Sequence, residues 1–455
     1  MINQLKRMDA GVLTLIILFI ILTPIFLTPI IHGSDGPGYY SYVRSMVIDG
    51  DVDLENELTH YKETYDYIKI NFREGTGRLK SQYTVGAAIF WSPFFLLAHG
   101  LSHVFSLPLD GYSQMYVTLS MLGSAIYALI GLILLYKIAK DLVGKKIALI
   151  STLTVWLASH LFHYMYLQPY MSHAISFFAV SLFIWYWYFY MRPKNSAKLS
   201  WKKWVLLGVV AAPLLLVRIQ NILYISIPLI YYIFELIDLS DWKGRIKSLL
   251  GPLLAAITFI ILILPQLIVW KINDGHILGS YIGNYASAEG SSFSILRILF
   301  VLFSNKHGLF NWTPVFLLGA IGLYFLYKRS RQDKKLVLTL TVAIFLQLLV
   351  AASWMRWWGG YSYGNRYVLG TAVLLGIGFA YFMKKAYLYK KFLLWLIPAI
   401  LIGWNFNLMF QYGSRMICPD CSASPLRILR NLVTELPKKA ITILKKFLFD
   451  RGSLL

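Results

Sequence analysis

Apolar runs of roughly 20 residues recur along the whole chain, each long enough to cross the hydrocarbon of a bilayer as a helix. Segments of about ten alternating apolar and polar residues, the mark of a membrane barrel, do not repeat. Backbone in hydrocarbon must satisfy its own hydrogen bonds, so the runs are read as α-helices. The pattern predicts an all-α polytopic membrane protein with about eleven crossings: 11–31, 113–137, 147–165, 174–191, 204–218, 222–238, 248–270, 308–327, 336–353, 367–383 and 392–410. The first run is too long for a signal-peptide core and lacks a small-residue cleavage site, so it is expected to be retained. No internal repeat is visible, which disfavours a transporter built from related halves.

The polar stretches between the runs are of two kinds. Residues 137–146, 192–203, 243–247, 328–335 and 384–391 are short and rich in Lys and Arg; residues 163–173, 271–307 and 354–366 are aromatic and nearly free of Lys. The kinds alternate. Retention of Lys and Arg on the cytoplasmic side then predicts an N-terminus inside, behind Lys6 and Arg7, and a C-terminal tail outside. Residues 85–105 are also apolar and long, but a crossing there would send every later basic loop outside. They are expected to form a re-entrant or partly inserted helix on the outer side, with 291–303 short and interfacial. The expected division is a membrane domain, 1–410, whose first outer loop 32–84 carries juxtamembrane helices, and a basic amphipathic tail, 411–455, on the outer face.

Composition agrees. Hydrophobic residues make up 58% of 455 and charged residues 14%, against roughly 25% charged in a soluble domain. Lys and Arg total 43 and Asp and Glu 21, a net charge of +22. In a soluble protein that excess would suggest nucleic acid; here loop retention accounts for it, and no nucleic-acid partner is expected. The two cysteines lie in CPDC, residues 418–421. A disulfide, half of a metal site and a pair of inert thiols all fit, and no second pair completes a zinc site.

The acids are uneven: nine of the 21 fall between Asp35 and Glu74. Asp35 stands about four residues past the first span, at the depth of lipid headgroups, and Gly36, Pro37 and Gly38 place it in a turn. Tyr39, Tyr42, Val43 and Met46 then recur at helical spacing, predicting an amphipathic helix on the membrane surface. An Asp there serves equally as a helix N-cap.

The set Asp35, Tyr39, Arg44, Met46, Gly50 and Asp51 resembles the first outer loop of GT-C glycosyltransferases, the polyprenyl-phosphate-sugar-dependent enzymes related to protein mannosyltransferases and lipid A aminoarabinose transferases. Their pattern runs D-E-x-x-Y-x-x-x-x-R-x-M-x-x-x-G-D; every spacing is kept, but Gly36 replaces the second acid. Less specifically, KSQYTVGAAIFWSP (80–93), LFSNKHGLFNWTP (302–314) and WWGGYSYGNRY (357–367) resemble later segments of the family.

The resemblance implies an inverting transfer of a sugar from a polyprenyl-phosphate donor, at the outer face of the cytoplasmic membrane, to an acceptor that is a protein, lipid or glycan. Such chemistry needs one carboxylate to take the acceptor proton and cations to stabilise the departing phosphate. Asp35 is the candidate base. The substrate-binding candidates are Tyr39, Arg44, Asp51, Lys80, His173, Arg218, Arg356 and Arg366, with Arg297 and Lys306 completing the cations assigned to the outer face. An Arg fork suits phosphate oxygens. Arg218 ends a span, where a charge is costly unless it faces a partner or a wet cavity; Arg44 has acids near it to pair with, and Asp51 also suits a solvated turn. His163 and His173 flank LQPYMS as interfacial residues or acceptor and phosphate ligands. Trp357, Trp358 and Tyr361 suit either an interfacial belt or sugar stacking. No His, Asp or Glu set has convincing metal spacing, and the family has metal-dependent and metal-independent branches, so a divalent metal stays open. A flippase for lipid-linked sugars would need the cations but not the fixed acid; a non-catalytic glycolipid-binding relative would fit the loss of the acid at 36.

Overall fold

The computed structural model of the chain describes residues 9–192, 199–237, 249–278 and 294–451. Lys6, Arg7, the basic residues Lys194 and Lys198, the basic loop 243–247 and positions 279–293 of the aromatic stretch 271–307 lie outside the described residues. In chain order the main helices are α1 (Ala10–Phe26), α2 (Asp35–Arg44), α3 (Glu55–Thr64), α4 (Gly86–Val104), α5 (Gln114–Val143), α6 (Lys145–Leu157), α7 (His173–Tyr186), α8 (Trp201–Val217), α9 (Ser226–Ile237), α10 (Leu250–Asp274), α11 (Leu296–Phe303), α12 (Pro314–Tyr327), α13 (Arg331–Ser353), α14 (Ala372–Tyr389), α15 (Leu393–Gly413), α16 (Pro425–Thr434) and α17 (Leu436–Phe449). Among the described residues the only β-pairing is an isolated bridge between Phe72 and Leu79.

Among the described residues, seven helices are long and apolar enough to cross a membrane, or eight if α6 and the bent segment His160–Leu167, at 63° to it, make one span. Eleven were expected; α1, α12 and the stretch Ile219–Phe234 are apolar but shorter, and α8 opens on Lys202 and Lys203. Leu253, Ile257, Ile260, Ile261, Leu264 and Ile268 form an exposed stripe along α10, spaced three and four apart, as a lipid-facing surface requires. Inside, α12 and α14 meet backbone to backbone at Gly319, Gly322 and Gly378, where a Cβ would strike the other helix.

Contacts sort the described loops into two ends. Lys140 pairs with Asp9 at 2.7 Å, Lys384 donates to the Leu142 carbonyl, Arg329 lies over Tyr381, Lys146 over Trp395, and Lys137 over Trp185. The described basic loops thus share one end of the bundle. At the opposite end the first loop is bound to α10: Thr76 donates to the Asn273 carbonyl at 2.8 Å and Arg73 pairs with Asp274 at 2.7 Å.

Residues 85–105 fold as α4, continuous and 19 residues long. Trp91 donates to Ser124 and His99 bonds Tyr116, so α4 runs antiparallel to the first half of α5. α4 is itself one of the helices long and apolar enough to cross, and α5, with 30 residues and about 45 Å, is the longer of the pair. α2 differs from the expected surface helix. Tyr40, Tyr42 and Val43 are buried and the Tyr40 hydroxyl donates to the Gly111 carbonyl at 2.8 Å, because α4 and its following loop cover it. The tail sits at the same end: Arg451 donates to the Leu27 carbonyl and Gln411 to that of Ile428. Cys418 and Cys421 form a disulfide.

Candidate active site

Asp35 is the first residue of α2, not a residue of a preceding turn, and it does not cap the helix. One carboxylate oxygen accepts from the Tyr83 hydroxyl at 2.9 Å; the other accepts from Arg366. The glycines explain how Tyr83 comes so close. A Cβ on Gly38 would overlap the Tyr83 ring, and one on Gly36 would lie 2.9 Å from the Tyr170 ring. Two aromatic rings therefore close over the first turn of α2 because positions 36 and 38 have no side chain, and an acid at 36 would meet Tyr170.

Arg366 arrives from the far end of the sequence. Asn365 fixes its approach, donating to the Trp357 carbonyl at 2.9 Å and accepting from Tyr367, while Gln220 holds the Tyr367 carbonyl. The loop before it turns on Gly359, Gly360 and Gly364, all at positive φ, which the glycine-rich sequence permits. Burial raises the Asp35 carboxyl, but Arg366, the Tyr83 hydroxyl and Arg218 outweigh it and hold the group below the ordinary carboxylate range.

Asp35 and Arg366 open onto a cleft of about 570 Å³. Arg356, Arg415, His32, Gln82, Gln168, Tyr170, Tyr361 and Tyr412 are among the residues that line it. Of the residues picked from sequence, Asp35, Arg356 and Arg366 come together here. Arg218 and His173 stand behind them, 2.9 Å apart, with Arg218 also near Ser172. Tyr39 packs its ring 4.7 Å from that of Tyr83 and so touches the site through it. Three others lie elsewhere. Arg44 pairs with Asp49 and with buried Glu57 at 2.7 Å, and covers the Tyr112 ring. Asp51 accepts from Ser45 and from the Asp53 amide, closing the turn after α2. Lys80 is exposed and is not among the residues lining the cleft. Sequence reasoning missed Tyr83, Tyr170 and Arg415; Tyr83 stands inside the 80–93 segment and Tyr170 inside LQPYMS, but Arg415 carries no local signal.

The described lining residues offer one carboxylate and one imidazole, Asp35 and His32, and a guanidinium occupies the carboxylate's second oxygen. No group of three or more His, Cys, Asp or Glu able to hold a metal occurs among the described residues. This donor set does not fit a divalent metal.

A family model described as dolichyl-phosphate-mannose-protein mannosyltransferase matches residues 117–270, from α5 through most of α10, about a third of the chain and without the Asp35 loop. The structure superposes on ArnT from Cupriavidus metallidurans bound to undecaprenyl phosphate with a TM-score of 0.54 at 11% identity, covering 98% of this chain and 76% of that one. The chain has the GT-C glycosyltransferase fold. The Archaeoglobus fulgidus oligosaccharyltransferase in complex with Zn and sulfate is similar with a TM-score of 0.46 at 12% identity; this chain spans 57% of its length. The same enzyme in complex with an inhibitory peptide and a dolichol-phosphate gives a TM-score of 0.43 at 11% identity, over 97% of this chain and 56% of that one. No curated protein sequence matches the chain. Within the GT-C fold the cleft lies at the end of the bundle opposite the basic loops, next to the loop after α1.

Proposed function

We propose that the protein is an inverting glycosyltransferase that moves a sugar from a polyprenyl-phosphate donor to an acceptor at the outer face of the cytoplasmic membrane. One observation carries the reading: a carboxylate at the first turn after α1 faces a cleft that holds three arginines, within a GT-C fold. The position of the described basic loops at the other end supports the orientation. Undecaprenyl phosphate in the ArnT crystal supports a lipid-phosphate donor.

In this reaction Asp35 takes the proton from the acceptor hydroxyl as its oxygen attacks the anomeric carbon. The bond from that carbon to the phosphate oxygen breaks, and the electron pair leaves on the phosphate. Asp35 becomes neutral as the phosphate gains charge. Arg366 then loses its partner as a second anion forms beside it, so the guanidinium passes from carboxylate to leaving group. Arg356 supplies a further cation.

The test is transfer from a synthetic polyprenyl-phosphate sugar by purified wild type and Asp35→Asn. Loss of at least about 100-fold in kcat is expected for a general base; an Asn variant with full activity sinks the assignment. The alternative, a glycolipid-binding relative without activity, is favoured by Gly36 in place of the family's second acid, and predicts donor binding with no turnover in wild type.

A further inference from the structure

We infer that Arg415, from the segment after α15, is a phosphate-binding residue of the lipid-linked donor. The inference rests on the donor-site reading of the cleft and adds a residue to it from the tail.

Arg415 lines the cleft together with Asp35, Arg356 and Arg366. Its backbone has φ 58°, in the left-handed region that non-glycine residues seldom adopt. Arg415 is the residue just past the C-cap of α15, the position where a left-handed residue commonly ends a helix, so its neighbours hold the backbone there. The neighbours are visible. The Arg415 amide donates to the Tyr412 carbonyl at 3.1 Å and that of Met416 to Gln411 at 3.0 Å, and Ile417 is buried. The Cys418–Cys421 disulfide closes the next turn. Asp420, inside that turn, accepts from the Trp358 indole at 2.5 Å and from Lys306 at 3.3 Å, and Lys306 lies 3.6 Å over the Trp358 ring.

Trp358 belongs to the loop that carries Arg356 and leads into Arg366. The CPDC turn therefore clamps the tail to the loop bearing the other two arginines, and Arg415 enters from the tail's side. Burial and then the charge of Arg415 hold His32 below its ordinary value, which sets that charge beside the chain just before Asp35. The charge balance agrees. Among the described lining residues there are three arginines and one aspartate, and Asp35 occupies Arg366 before transfer. A lipid phosphomonoester product carries about 1.5 to 2 negative charges at neutral pH, and Arg forks match its oxygens.

The experiment uses the purified full chain in nanodiscs and two probes, undecaprenyl phosphate and undecaprenol, which lacks the phosphate. Arg415→Ala and Arg415→Gly are expected to weaken undecaprenyl phosphate binding about tenfold or more and to leave undecaprenol binding unchanged, with Arg415→Lys recovering part of the loss. Glycine relieves the left-handed backbone, so the Arg415→Gly variant should melt no lower than wild type, which separates lost binding from lost fold. Unchanged phosphate binding in Arg415→Gly, or equal loss for both probes, overturns the inference. A wild type that binds the two probes alike instead overturns the donor-site reading beneath it.

Discussion

Replacing Arg366 with Gln separates two duties assigned to one guanidinium. In the structure it occupies one oxygen of Asp35, both side chains being about one-fifth exposed, 18% and 20%. During transfer it is assigned to the departing phosphate. A hydrogen bond between charged groups contributes about 1.5–3 kcal/mol, so losing the second duty should lower kcat/KM by roughly 10- to 150-fold at a pH where Asp35 is ionised. The first duty reads out in the pH profile. Burial raises the Asp35 carboxyl, and Arg366 is the leading contribution that lowers it. A base works when ionised, so the rate falls as pH drops through its pKa. In wild type that fall lies below the ordinary carboxylate range; in Arg366→Gln it should move to higher pH. Initial rates of sugar transfer in proteoliposomes from about pH 4 to 9 measure both effects. An acid limb that stays in place would show that Arg366 does not set the base. A limb that moves with kcat/KM retained at high pH would show that it holds Asp35 and nothing else.

Two further predictions concern the frame around the site. Gly36→Ala places a methyl 2.9 Å from the buried Tyr170 ring, and overpacking of that kind should cost about 1–3 kcal/mol in thermal unfolding; an equal or higher melting temperature would refute the close-approach account of this glycine. Glu57, buried against Arg44, has its carboxyl raised by burial from 4.5 to about 7, so the folded chain holds that proton more tightly than the unfolded one. Stability present below 4.5 should be lost as pH rises to 7, by at most about 3 kcal/mol, and Glu57→Gln should flatten that slope; identical slopes in the two proteins would count against it.

Much of the architecture was legible because hydrocarbon imposes it: run length marked the helices, and the sorting of Lys and Arg foretold which loops share an end. Span counting was less secure where a helix is broken, as at the 63° bend after α6, or shorter than the test, as with α1 and α12. Asp35 was legible because its spacing to Tyr39, Arg44 and Asp51 is local. What that spacing does was not. Arg44 and Asp51 hold the loop together, Arg44 through Glu57 and Asp51 through Ser45, and neither reaches the cleft. Partners brought from 48 and 331 residues away, Tyr83 and Arg366, are products of packing that no window on the sequence contains. Arg415 was hidden for a related reason: it follows a span in a stretch that reads as an appendage, and packing, including the Asp420–Trp358 bond of its segment, brings it to the cleft.

The replacement of the second acid by Gly36 now has a physical reading. With a side chain there, Tyr170 could not close on α2, and a second carboxylate beside Asp35 would raise its pKa by like-charge repulsion or call for a metal. Among its described lining residues this cleft instead has one carboxylate and three guanidiniums. One carboxylate suffices for an inverting displacement, since only one proton has to be removed. The cost is a base held weak by its own ion pair. That cost falls at the moment of reaction, because the phosphate that draws Arg366 away is the group whose departure makes the acceptor proton acidic. In the proposed reaction, base strength and leaving-group stabilisation are thus two positions of a single arginine, and neither is available in full until the donor is in place.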